Sequence, residues 1–94
     1  MLDIRFEWDE NKNRFNAQKH GISFSEAMTV FDDPDVLYKP DPDHSQDEER
    51  FVAIGFSEKM RMLVVCHCYY ESSSVIRIIL ARKATANETN QYRR

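Results

Sequence analysis

Among 94 residues, two are glycine and two are cysteine, and no apolar run approaches the length of a membrane span. Scarce glycine argues for regular elements joined by short connections. Cys66 and Cys68 lie two apart. On a strand they share a face, with Cα atoms near the upper limit for a bridge, which argues against a mutual disulfide. Alternation sends the intervening His67 to the opposite face, so "CHC" does not gather as a metal site. The thiols read as small core residues in a reducing compartment. The opening "MLDIRFEWDE" lacks a signal peptide's apolar centre. Together these absences predict a soluble, cytoplasmic protein without a membrane partner.

The residues present make one domain spanning 1–94, with 41% apolar and 12% aromatic side chains, enough for a modest core and too many for a disordered chain. The net charge of −3 is unevenly spread. Residues 32–58 carry two basic and nine acidic side chains, whereas residues 59–94 carry seven basic and two acidic. This split fits a local anion site better than a wholly basic nucleic-acid binder, or else the two regions attract each other.

Along the chain, "IRFEW" alternates as a short strand. Asp9 then caps a helix "ENKNRFNAQKH", which Gly21 ends in a left-handed conformation. "SFSE" is a capping box opening a second helix that stops before Pro34. "DVLYK" is a strand, and the two prolines of "PDPDHSQDEE" exclude regular structure there. Although "DPDHS" has a calcium-loop flavour around His44, Gln46 replaces the turn glycine and Val52 the final carboxylate, so calcium is rejected. "RFVAIGF", "MLVVCHCYY" and "SVIRIILAR" follow as an antiparallel meander. "TANE", Thr85 with Glu88, is a second capping box opening a terminal helix. The predicted fold is an α+β sandwich in the order strand, helix, helix, four strands, helix. Its antiparallel sheet has four or more strands, with the helices on one face.

Within "VIRIILARKAT", Arg77 interrupts an apolar strand that should be central. A buried guanidinium must be paired or bind an anion, because taking it out of water costs several kcal/mol. Arg77 is therefore either in an ion pair, with a carboxylate such as Glu48 or Glu49 beneath the helices, or a holder of phosphate. In a regular strand Arg77 and Arg82 point to opposite faces; only a bulge or the strand's end brings them together.

Several segments resemble the BrnT family of bacterial toxins: "FEWDENKNRFNAQKHGISFSEAMTVFDDP", "HSQDEERFVAIG", "IRIILARKAT" and Glu88. The resemblance covers nearly the whole chain. It implies a RelE-like fold, a ribonuclease that halts translation and needs no metal or cofactor, and a BrnA-type antitoxin with a ribbon-helix-helix DNA-binding domain. Toxin and antitoxin would form a hetero-oligomer that reaches promoter DNA only through the antitoxin. Leu80 stands where the family usually has serine, and the turn "YYESSS" lacks a basic residue that many relatives carry.

The implied chemistry is attack of the RNA's own 2′-hydroxyl on the adjacent phosphate. It requires a base, an acid and cations facing the phosphorane. Arg77 and Arg82 are the first candidates, because a planar donor fork matches phosphate oxygens. Glu48 and Arg50, two apart at a strand's start, are an acid–base pair or an ion pair. His67 is a proton carrier, if the hairpin register brings it near Arg77, or a satisfied core histidine. Lys12, Lys19, His20 and Lys83 are candidate RNA contacts. Against that reading, His20 closes a helix as a cap, and Lys83 is otherwise a solvated charge. The alternative function is a noncatalytic partner domain that binds a ribbon-helix-helix protein and adjusts promoter repression.

Overall fold

The computed structural model describes residues 3–45 and 48–94. Gln46 of the rejected calcium loop and Asp47 of the acidic stretch lie outside the described residues. Strand β1 (Arg5–Glu7) leads into α1 (Glu10–His20) and α2 (Phe24–Met28), which runs on into a 3₁₀ turn. Then come β2 (Leu37–Pro40), β3 (Phe51–Phe56), β4 (Met62–Tyr70), β5 (Val75–Lys83) and α3 (Ala86–Tyr92).

Local signals set the helices. Asp9 accepts from the Lys12 amide, and Gly21, at φ 71°, sends its N–H to the Ala17 carbonyl. A Cβ at this φ would be strained, so glycine suits the stop. Ser23 caps α2 through the Glu26 amide. The expected reciprocal half of that box is absent, because the Glu26 carboxylate turns inward to Arg61 and Ser57. The Thr85–Glu88 box forms in full.

The five strands order as β1-β5-β4-β3-β2. Strands β3 to β5 are the expected antiparallel meander, and β2 extends it by pairing antiparallel with β3, with Pro40 tolerated on this edge strand. Strand β1 makes the sheet mixed rather than antiparallel throughout, because it adds parallel to β5 by pairing Arg5 with Val75 and Glu7 with Arg77. The crossover through α1 and α2 and the meander bring the chain back in the same direction.

Ala53, Leu63, Val65, Ile78 and Ala81 form one face of the sheet and pack with Ile22, Phe24, Ala27 and Val30 from the helical segment. Here the apolar stripe of α2 is buried, as the hydrophobic effect requires. The expectation of all helices on one face fails at α3. Its side chains reach Arg82, Lys39 and Phe56, which the register places on the opposite face. Sequence periodicity marks a helix but not the side of the sheet to which the chain turns.

Candidate functional site

The register between β4 and β5 shifts at one place. Cys66 pairs with Leu80 and His67 with Ile78, leaving Ile79 as an extra residue in β5. A bulge of this kind resets the alternation. Arg77 pairs with Cys68, Leu80 with Cys66 and Arg82 with Val64, so all six side chains belong to the face opposite the main core. The bulge thus puts Arg77 and Arg82 on one side of the sheet.

Asn16 holds the edge beside the bulge. Strand β1 reaches only as far as Arg77, and beyond it α1 lies along β5. Asn16 Nδ2 donates to the Ala81 and Ile22 carbonyls at 2.8 and 2.9 Å, and Oδ1 accepts from the Ala81 amide at 3.1 Å. The buried edge of β5 is satisfied by a side chain where no strand continues.

Arg77 is not buried beneath the helices, and neither Glu48 nor Glu49 is its partner. Its side chain is 32% exposed and its Nη1 lies 2.7 Å from Glu7, its neighbour across the parallel pair. The parallel β1 puts that carboxylate there. Arg82 makes a two-pronged pair with Glu88, both bonds at 2.8 Å. This contact, with the Thr85 amide, draws the Glu88 carboxyl down to about 2.

Between them lies a polar cluster. Glu48 accepts from the Tyr70 hydroxyl at 2.8 Å and from the Cys68 thiol at 3.6 Å, with Arg50 Nη2 at 3.6 Å. The Tyr70 bond leads in holding the Glu48 carboxyl below its ordinary range, so Glu48 is ionised at neutral pH. Arg50 Nε is buried and has no hydrogen-bond partner among the described residues. The Cys66 thiol donates to Asp41 at 3.5 Å, and burial first, then Asp41, pushes it up to about 12, which leaves it protonated and unreactive.

Lys12, Lys19 and His20 line a groove of about 490 Å³ between α1 and this open face, together with Arg50 and Arg82. Two candidates lie elsewhere. Lys83 pairs with Leu63, a core residue, so alternation turns it from Arg82's face. His67 is 0% exposed on the core side, with Phe31 at 4.9 Å and Tyr69 at 5.1 Å between ring centres. Its Nδ1 donates to the Val65 carbonyl at 3.0 Å, which makes Nε2 the acceptor for the Tyr69 hydroxyl at 3.0 Å. The register that was to bring His67 to Arg77 pairs it with Ile78 instead, and burial lowers its pKa. It is a neutral core residue facing away from the arginines.

Sequence reasoning missed Asn16 as the edge clasp, Glu7 as the partner of Arg77, and Phe15. The signal for Phe15 was present: it is the one aromatic residue in an otherwise polar helix, and it stays 64% exposed.

Residues 8–88 match the model of the family described as the ribonuclease toxin BrnT of type II toxin–antitoxin systems. The chain belongs to the BrnT family. A similar solved structure is the 1.1 Å crystal structure of the Brucella abortus ribonuclease toxin BrnT, with 23% identity and a TM-score of 0.67 over 87% of this chain and 97% of that one. At that identity the likeness speaks for the fold, which the BrnT toxin and this chain share. No curated protein matches the chain. Among the described residues no helix is long and apolar enough to cross a membrane.

Proposed function

We propose that this BrnT-family chain is a metal-independent endoribonuclease that works on the open face of its sheet, in the cytoplasm, and thereby inhibits translation. The observation that carries the reading is the Ile79 bulge, which gives Arg77 and Arg82 a common face with the Glu48–Arg50 cluster. Cleavage proceeds by attack of the 2′-hydroxyl oxygen on the adjacent phosphorus, which breaks the P–O5′ bond and leaves a 2′,3′-cyclic phosphate and a 5′-hydroxyl, the leaving oxygen taking its proton from water. Arg77 and Arg82 stabilise the extra negative charge of the phosphorane, each exchanging a carboxylate partner for phosphate oxygens. Glu48, already ionised, is the base for the hydroxyl proton, and Arg50 holds it in place. Lys12, Lys19 and His20 contact the RNA backbone across the groove. Lys83 and His67 are left out of this set by their faces.

The partner is a BrnA-type antitoxin with a ribbon-helix-helix domain, in a hetero-oligomer that meets promoter DNA through the antitoxin. The acidic stretch from Asp32 to Glu58 would receive a basic antitoxin segment, with an association rate that falls as salt rises.

The test is to incubate the purified chain with single-stranded RNA in excess chelator and analyse the product ends. We expect cleavage leaving 2′,3′-cyclic phosphate and 5′-hydroxyl ends. Cleavage abolished by the chelator, or products with 3′-hydroxyl ends, would overturn the mechanism. No cleavage at all would favour the noncatalytic partner domain.

A further inference from the structure

Phe15 is costly where it stands. It is the only large apolar side chain of α1, it takes no part in the main core, and it is 64% exposed. Lys19 Nζ lies 5.9 Å from its ring centre, which gives the ring a cationic neighbour but does not cover it. The ring stands over the groove between α1 and the open face. That groove, at about 490 Å³, falls within the roughly 300–1,000 Å³ usual for ligand pockets.

The opposite wall is apolar. Val52, Val64, Cys66 and Leu80 make it, with the Cys66 thiol protonated as described. Leu80 extends this wall along β5. The rim has the opposite character. Lys12 and Lys19 stand on the helix side, with Asp41 the one carboxylate among the lining residues, and Arg50 and Arg82 stand on the sheet side, where they also face Glu48 and Glu88. Arg50 Nε is a buried donor with no hydrogen-bond partner among the described residues. An occupant must therefore bring a flat apolar body to the ring and wall, and negative charge or acceptor oxygens to the rim. A nucleotide has both parts. An apolar side chain from a protein partner would satisfy the wall but bring no anion to Lys12 and Lys19 and no acceptor to Arg50 Nε.

We propose that this groove takes one unstacked nucleobase of single-stranded RNA, stacked on Phe15 above Leu80, with its phosphate at the lysines of α1. The inference rests on the RNA-binding reading above and adds the residue that grips a base. Aromatic stacking of this kind contributes on the order of 1–3 kcal/mol per base and tolerates any base, because each has a π face. Phe15 would therefore strengthen substrate binding without strict sequence preference.

Binding can be separated from cleavage with 2′-O-methyl oligoadenylate, which lacks the attacking hydroxyl. Its affinity is compared with that of an abasic 2′-O-methyl ribose-phosphate oligomer of the same length and charge. We expect the parent protein to prefer the base-bearing oligomer by about tenfold or more. F15A should bring the two affinities close to parity, and F15W should keep the preference. Since Phe15 is exposed, all three proteins should melt alike. Equal binding of both oligomers by the parent overturns the proposal, as does an F15A variant that retains the preference. F15A that loses affinity for the antitoxin while keeping the RNA preference would assign the ring to the protein partner and overturn it too. Cleavage by a parent with no base preference would leave the nuclease reading standing and remove the pocket. A base preference without cleavage would do the reverse.

Discussion

Asn16 does for Ala81 what a neighbouring strand would do, donating to its carbonyl at 2.8 Å and accepting from its amide at 3.1 Å. One side chain thereby fixes α1 along β5 and so sets the width of the groove on the open face. N16A would leave the Ala81 groups and the Ile22 carbonyl without this partner in a site only 5% exposed. Each unsatisfied buried group costs about 1–3 kcal/mol. We expect a loss of roughly 3 kcal/mol in urea denaturation, with N16D nearly as harmful because a carboxylate keeps the acceptor and loses both donors. A loss below about 0.5 kcal/mol would show that water replaces the amide without penalty.

Glu26 and Arg61 form a second clasp, between α2 and the turn before β4. Glu26 is 2% exposed, accepts from Arg61 Nε at 2.8 Å and from the Ser57 hydroxyl at 2.7 Å, and Arg61 also donates to the Gly21 carbonyl. R61A would strand the buried Glu26 carboxylate and should lower stability more than the loss of an exposed ion pair does. The double variant R61M/E26Q should recover part of that loss, because no charge then remains buried. A thermal melt in which the double variant is no better than R61A would refute the explanation.

His67 makes stability depend on pH. Burial lowers its folded pKa below the ordinary 6.5, so the unfolded chain binds the proton more readily. Stability is therefore full above about 6.5 and falls as pH drops below it, by at most about 1.4 kcal/mol per pH unit from this group. H67F keeps the aromatic packing and cannot titrate. Between pH 7 and 5 its denaturation midpoint should change less than the parent's. An equal slope in both proteins would remove His67 as the cause.

What the sequence disclosed was local. Asp9, Gly21 and Thr85 act within a turn of their helices, so their caps could be read from neighbouring residues, and alternation separated His67 from its flanking cysteines. The bulge at Ile79 could be stated only as a condition, because register depends on both β4 and β5. The parallel addition of β1 was hidden for the same reason, and with it the pairing of Glu7 with Arg77. Glu26 misled because its spacing from Ser23 fits a capping box, while the stronger partner Arg61 arrives from 35 residues away. Of the groove, the cations were visible as residue types. Phe15 and the apolar wall became a pocket only once α1 was laid along β5.

If the open face carries phosphate chemistry through its arginines, a change at Arg77 exposes it without disturbing the fold. Its pair with Glu7 is partly exposed at 32% and 47%, and such pairs contribute no more than about 1 kcal/mol. R77K should therefore melt within a few degrees of the parent. A lysine cannot present the planar fork that holds two phosphate oxygens, and losing such a transition-state contact costs on the order of 100-fold or more. The measurement is the initial rate of cleavage of a defined single-stranded RNA by R77K and by the parent, beside their melting temperatures. We expect a loss of about 100-fold with the fold intact. Unchanged cleavage with a lowered melting temperature would make Arg77 a structural partner of Glu7 and contradict this expectation.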